Sequence, residues 1–173
     1  NGNWFAFIGS FNINQGIVRF DFGSSLENNN PAATNIGNFG FSTRFRSLKV
    51  LKQATDLFLV LAGYNLNSLI RINFRDSFEN PIASENIFDT GVINGLGNPL
   101  GMDVTTSPDG ELIMLVTSYN GNTITQLNFG SDILLAPTLE SNLPFPEIVK
   151  PYFIKFIREG NQYYAVVSNE SLP

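Results

Sequence analysis

Apolar residues in this chain fall into short runs that recur along its length. Three runs are apolar at nearly every position, and an extended strand would therefore present apolar groups on both faces: WFAFIG at 4–9, LFLVLAG at 57–63 and LIMLVTS at 112–118. The segment after each run alternates instead, as Val18, Phe20 and Phe22 do with the polar Arg19 and Asp21. A period of two positions is that of a β-strand, so both kinds of segment are predicted to be strands.

The strands belong to an internal repeat. Each doubly apolar run leads into a similar tetrapeptide: FNIN at 11–14, YNLN at 64–67 and YNGN at 119–122. Upstream of the second and third runs, and ahead of a fourth copy, stand related segments: SLKVLKQ at 47–53, GMDVTTS at 101–107 and FIKFIRE at 153–159. The repeat predicts one region, 1–173, with units at approximately 1–54, 55–109, 110–160 and a truncated 161–173.

Each unit holds four predicted strands. They are a strand that ends in a tight turn such as SPDG at 107–110, the doubly apolar strand, the alternating strand and a polar edge strand. Radially stacked four-stranded sheets cover a doubly apolar strand on both sides, and repeats of about 40–50 residues are typical of such blades. The prediction is an all-β fold: a β-propeller fragment of about three four-stranded blades plus part of a fourth.

Such a fragment would leave open sheet edges, which natural proteins avoid. We therefore expect the rest of a longer chain, or another subunit, to complete the propeller. The chain also opens at Asn1, inside what reads as strand sequence, so a partial or processed piece is expected.

Charge and composition narrow the possible functions. Ten Lys and Arg against fifteen Asp and Glu give a net charge of −5, which argues against nucleic-acid binding. The apolar runs are far shorter than the roughly 20 residues that cross a bilayer, so no membrane insertion is expected. Cys and His are absent, which excludes thiol nucleophiles, Ser-His-Asp triads and most zinc sites.

Two resemblances follow from these motifs. The segment VTTSPDGELIMLVTSYNGNTITQLNF (104–129) resembles the blades of YVTN and NHL type β-propellers. WFAFIG, GIVRFDFGSSL and NIGNFG are similar to repeats of the WYGF, LVRLDFGNSL and LGNFG type in secreted surface proteins of Bacteroidota. The resemblance implies an extracellular or cell-surface location. The second copy departs from it, with Arg75 where the first copy has Gly23.

The tetrapeptides supply the candidate binding residues. In a propeller they would share one rim with Arg44, Arg46, Asn98 and Lys150, and their asparagines are Asn12, Asn14, Asn65, Asn67, Asn120 and Asn122. Such amides can hydrogen-bond sugar hydroxyls or a partner's backbone, or can simply close the same turn in each blade. Asp21, Asp103 and Asp109 show no metal-ligand spacing, so no metal and no cofactor are expected.

These observations predict a non-catalytic binding or adhesion module, not an enzyme, that recognises a protein or glycan partner through rim loops. The alternative is a divalent-cation-dependent propeller hydrolase of the lactonase kind, with the ion held over the central channel.

Overall fold

Four antiparallel sheets contain the strands of the described residues. The structure is a computed structural model that describes residues 2–12, 15–143, 145–160 and 162–170. The first sheet has the order β1 (Trp4–Gly9), β2 (Ile17–Gly23) and β3 (Ala32–Gly37). The second has the order β4 (Phe45–Gln53), β5 (Asp56–Gly63), β6 (Ser68–Asn73) and β7 (Ile87–Asp89).

The third sheet repeats the second, and the fourth has two strands. The third has β8 (Pro99–Thr106), β9 (Leu112–Ser118), β10 (Thr123–Asn128) and β11 (Thr138–Leu143), and the fourth pairs β12 (Pro151–Glu159) with β13 (Gln162–Asn169). A 3-10 turn at Ser84–Asn86 precedes β7, and none of the described residues forms a helix long and apolar enough to cross a membrane. The prediction of an all-β propeller fragment is confirmed.

The strands β4, β8 and β12, here called the inner strands, lie side by side around the axis of the propeller. Hydrogen bonds from the backbone N–H groups of two inner strands to side chains of their neighbours connect them. The backbone N–H of Met102 donates to Ser47 Oγ at 3.2 Å, and that of Phe156 donates to Asp103 Oδ2 at 2.8 Å. Residues more than fifty positions apart therefore meet at the axis.

The core consists of layers between consecutive blades. Leu59 and Leu61 of β5 are buried against the first sheet, whereas Phe58, Val60 and Ala62 are buried against the third. Both faces of this strand are thus covered, as its apolar run predicts.

The first and last sheets differ from that pattern. The doubly apolar sequence of β1 predicts burial of both faces, but Trp4 is 51% exposed and Ile8 56%. In the last sheet, Tyr164 and Val166 of β13 are also exposed. The physical reason is that each of these sheets has a neighbouring described blade on one face only.

An arginine from the third strand of a blade holds the following blade. Arg71 is buried, and its Nη1 donates to the carbonyl oxygens of Ile133 at 2.7 Å and Leu135 at 2.8 Å. Arg19 occupies the same repeat position and donates to the carbonyl of Phe78. Burial lowers the pKa of Arg71, while the negative charges of two aspartates act in the opposite direction.

The sequence departure at Arg75 does not change the backbone. Arg75 has a φ of 60°, which matches the 65° of Gly23 and the 62° of Gly130 at the same repeat position. In each copy this residue donates its N–H to the side chain two positions before it, at 2.6 to 2.8 Å. The turn is therefore fixed by that hydrogen bond, and Arg tolerates a conformation that favours Gly.

Candidate functional site

A cavity of about 450 Å³ opens at the end of the axis where the inner strands begin. We call it the channel mouth. It is lined by residues at the end of β1 and at the starts of β4, β8 and β12: Gly9, Phe11, Phe45, Arg46, Ser47, Leu48, Leu100, Gly101, Tyr152 and Phe153. Three of its aromatic side chains are exposed, with Phe11 at 61%, Tyr152 at 48% and Phe153 at 53%. The volume is within the range of small-molecule sites.

Arg46 is the charged residue of this lining, and aromatic rings hold it. Its guanidinium carbon is 3.8 Å from the ring centroid of Phe11 and 5.2 Å from that of Tyr64. Arg44 approaches the same Phe11 ring at 4.9 Å. Of the described carboxylates, none lies within 4.0 Å of Arg46, and its buried Nε has no hydrogen-bond partner there. Within the described part of the chain, no ion pair therefore neutralises this positive charge.

A layer of three charged residues lies further along the inner strands. Asp103 of β8 accepts from Lys49 Nζ of β4 at 2.8 Å and from Lys155 Nζ of β12 at 3.0 Å. Asp103 is 5% exposed, Lys49 23% and Lys155 53%. One carboxylate thus bridges three blades, and the layer as a whole carries an excess of one positive charge.

Asp103 is held in its ionised form. Burial acts to raise the pKa of its carboxyl group, but hydrogen bonds from Lys49, the Phe156 backbone and Lys155 outweigh burial and lower the pKa below the ordinary value. A carboxyl group in this state is not a proton donor at neutral pH, so its role in this position is electrostatic.

Two of the six candidate asparagines connect neighbouring blades. Asn67 and Asn122 have φ values of 52° and 51°, and their Oδ1 atoms accept from the backbone N–H of Asn98 at 2.9 Å and of Lys150 at 2.8 Å. Asn67 and Asn122 lie in the turns after β5 and β9, each the second strand of its blade. Asn98 and Lys150 directly precede β8 and β12, the inner strands of the next blades. These amides are therefore engaged within the protein.

The other four candidates have different surroundings. Asn120 donates from Nδ2 to Asn98 Oδ1. Asn65 is exposed, and its backbone N–H donates to Thr43 Oγ1 at 3.2 Å. Asn12 is exposed, with its backbone N–H donating to Ser10 Oγ at 3.0 Å, and Asn14 lies outside the described residues.

A tyrosine beside the channel mouth is paired with an acid. The hydroxyl of Tyr119 donates to Glu170, and Lys150 Nζ lies 3.9 Å from that carboxylate. The ring of Tyr119 stands edge-on to Tyr152 at 6.4 Å, which extends the aromatic surface of the mouth toward the rim. The hydrogen bond to Glu170, more than any other influence, raises the pKa of Tyr119. Its hydroxyl is therefore protonated at neutral pH.

The arrangement suits the binding of a polar ligand with apolar faces. Aromatic rings offer stacking surfaces and Arg46 offers hydrogen-bond donors. Within the described ranges, no group of three or more His, Cys, Asp or Glu is placed to hold a metal ion.

The sequence did not identify the channel mouth. Arg46 was placed near the rim, but Phe11, Tyr152 and Phe153 were not recognised as exposed residues that meet at one cavity. Lys49, Asp103 and Lys155 do stand in one repeat column, directly after the apolar column Leu48, Met102 and Ile154. A charged residue at the same place in three inner strands was the signal available.

Solved structures similar to this chain include a galactosidase and a galactanase. A GH43 β-1,3-galactosidase is similar with a TM-score of 0.67 at 12% sequence identity, over 99% of this chain and 39% of that one. An exo-β-1,3-galactanase from Phanerochaete chrysosporium, determined with β-1,3-galactotriose, has a TM-score of 0.48 at 15% identity, over 94% of this chain and 42% of that one. The chain thus spans less than half the length of either structure. Neither a protein-family model nor a curated protein matches the sequence.

These findings correct the functional prediction. A non-catalytic binding or adhesion module, and the absence of enzymatic activity, were expected. That prediction is contradicted, because nearly all of this chain shares its fold with part of a GH43 β-1,3-galactosidase. The comparison supports a β-propeller but not the finer assignment to YVTN and NHL type repeats, since no sequence family matches.

Proposed function

We propose that this protein is a glycan-processing enzyme of the glycoside hydrolase kind and that it binds its sugar at the channel mouth. The observation that carries the proposal is the mouth itself, an axial cavity of about 450 Å³ with exposed aromatic rings and an arginine without an acidic partner among the described residues. The similarity of the fold to a GH43 β-1,3-galactosidase supports it and suggests β-1,3-linked galactosides as the first substrates to test.

A sugar ring presents both an apolar face and polar hydroxyl groups. Its C–H face is apolar and stacks on an aromatic ring, for which Tyr152, Phe153 and Phe11 are exposed in the mouth. Its hydroxyl oxygens accept hydrogen bonds, which the guanidinium of Arg46 can donate. A propeller keeps Arg46, Tyr152 and Phe153 at fixed positions because they are at the starts of strands, and Phe11 lies two residues after the end of β1.

Glycoside hydrolysis ordinarily requires two carboxyl groups on either side of the scissile bond. The inner strands carry Asp103, which two lysines engage, and Glu159, which ends β12 at the opposite end from the mouth. We propose that the catalytic carboxyl groups come from the blades that complete the propeller, whether these belong to a longer chain or to another subunit.

The first blade supports this view of completion. Its three strands lack an inner strand among the described residues, and a cavity of about 590 Å³ lies between it and the second blade, lined in part by Trp4, Val50 and Phe78. We propose that an inner strand pairs there with the free edge of β1.

We also propose a location outside the cell, where polymeric glycans are accessible. The resemblance to repeats of secreted Bacteroidota surface proteins supports this location.

Binding and hydrolysis test the proposal separately. Calorimetry with β-1,3-galactobiose is expected to detect binding that falls about tenfold in Tyr152→Ala, because the loss of one stacking surface is worth roughly 1.4 kcal/mol. The control variant is Val166→Ala. Val166 is an exposed residue of β13 outside the mouth lining, so this variant is expected to bind the disaccharide as the wild type does.

Hydrolysis is measured as galactose release by the protein with its propeller complete. Release that depends on Tyr152 supports the proposal. No binding by the wild-type protein would refute the site, and binding by a complete propeller that releases no galactose would refute the catalytic assignment.

A further inference from the structure

The basic residues of this acidic protein are concentrated on its inner strands. The three inner strands hold five of the ten Lys and Arg residues and two of the fifteen Asp and Glu residues. They therefore carry a net charge of +3, while the rest of the chain carries −8. The five basic residues of the inner strands are Arg46, Lys49, Lys52, Lys155 and Arg158.

These charges are only partly neutralised. Asp103 engages both Lys49 and Lys155, which leaves one positive charge in excess in that layer. Arg46, at the mouth, rests on the rings of Phe11 and Tyr64 and has no carboxylate of the described chain within 4.0 Å. Aromatic rings fix the position of a guanidinium without cancelling its charge.

We propose that the channel mouth is specific for an acidic sugar, whose carboxylate or sulfate group pairs with Arg46. The inference rests on the proposed function, and it defines the substrate class. A planar guanidinium can bind an oxyanion through two parallel hydrogen bonds, and such charge-assisted bonds are stronger than those to a neutral hydroxyl. Excess positive charge deeper along the axis would also attract an anion into the channel.

Three disaccharides distinguish the possible sources of the negative charge. The first is β-1,3-galactobiose. The second has galacturonic acid in place of galactose at the non-reducing end, and the third is β-1,3-galactobiose with a sulfate on O6 of that galactose. We expect the wild-type protein to bind at least one acidic form about tenfold more tightly than the neutral form at low ionic strength, and the preference to shrink as salt shortens the screening length.

Arg46→Gln is expected to abolish this preference, because it removes the charge-assisted pairing and weakens acidic ligands about tenfold more than the neutral one, which loses only a hydrogen bond to a hydroxyl group. The matched control is Arg158→Gln. It also removes one inner-strand arginine that lies over an aromatic ring, in this case Tyr163 at 5.5 Å, but outside the mouth lining. Circular dichroism and thermal unfolding check that both variants fold.

The outcomes separate this inference from the proposed function. Equal affinity of the wild-type protein for all three disaccharides would overturn the acidic specificity and leave a neutral glycosidase possible. An acidic preference in a complete propeller that hydrolyses nothing would overturn the catalytic assignment and leave the acidic specificity in place. If Arg46→Gln does not fold, the wild-type preference and its salt dependence still decide the question.

Discussion

Replacement of Asp103 with asparagine removes one negative charge from the centre of the propeller and leaves the shape of the side chain almost unchanged. The carboxylate is 5% exposed and bridges Lys49 and Lys155 at 2.8 and 3.0 Å. It also accepts from the backbone N–H of Phe156 at 2.8 Å. The variant therefore leaves two ammonium groups without their common partner.

The magnitude follows from the exposure of the partners. Loss of one partner of a buried ion pair costs about 3–5 kcal/mol. Lys155 is 53% exposed and can turn toward water, so its share is close to that of a surface pair, whereas Lys49 at 23% is less free to do so. We expect Asp103→Asn to lower the free energy of unfolding by about 2 kcal/mol. Asp103→Ala should cost about 1 kcal/mol more, because the N–H of Phe156 also loses its acceptor.

Urea denaturation with linear extrapolation measures both values. Asp109→Asn is the matched control, since it makes the same change at an exposed turn residue after the same strand, and it is expected to stay within about 0.5 kcal/mol of the wild type.

The dependence on pH gives a second criterion. The folded-state pKa of Asp103 is lowered, so its contribution to stability is present above the unfolded carboxyl pKa of about 3.9 and is lost as the pH falls through the folded-state pKa. The difference between the wild type and Asp103→Asn should therefore be complete at pH 7 and shrink below about pH 4. A difference at pH 7 no larger than that of Asp109→Asn, or one that is unchanged in acid, would refute the reasoning.

Three further changes test the contacts between blades. Asn67→Ala should lower the free energy of unfolding in urea by about 1–2 kcal/mol, because it loses a hydrogen bond to the next blade and places alanine at a positive φ. Asn65→Ala, the control from the same tetrapeptide, should have little effect on that free energy. Gly101→Ala should lower the melting temperature by several degrees, since its Cβ would lie 2.7 Å from the carbonyl oxygen of Tyr152; an unchanged melting temperature would contradict this. Arg71→Met should cost about 2–3 kcal/mol in urea because the buried carbonyl of Ile133 and the partly buried carbonyl of Leu135 lose their donor, and a neutral effect would mean that water replaces it.

Much of the fold could be predicted from the sequence because its signal is local. The period of two in Val18, Phe20 and Phe22 and the recurring doubly apolar runs define strands and their spacing without knowledge of any distant contact. The need to cover both faces of 57–63 then leads to stacked sheets, and the burial of Leu59 and Val60 on opposite sides agrees with this reasoning.

The candidate site was harder to predict because a turn residue looks the same in sequence whether its amide faces solvent or the neighbouring blade. Asn65 and Asn67 are two positions apart in one tetrapeptide, yet Asn65 is exposed and Asn67 bonds to the next blade. Asn67 has a positive φ and its side chain reaches the next blade, and a sequence pattern does not report φ for an individual asparagine.

The sequence by itself determined the strand pattern, the repeat, the all-β propeller fold and the absence of thiol and imidazole chemistry. Only the tertiary structure decided that Lys49, Asp103 and Lys155 form one charged layer and that Phe11, Arg46 and Tyr152 meet at one cavity. Local periodicity specifies which face of a strand is apolar, but the axis is built from residues more than fifty positions apart, which come together only after whole blades have packed.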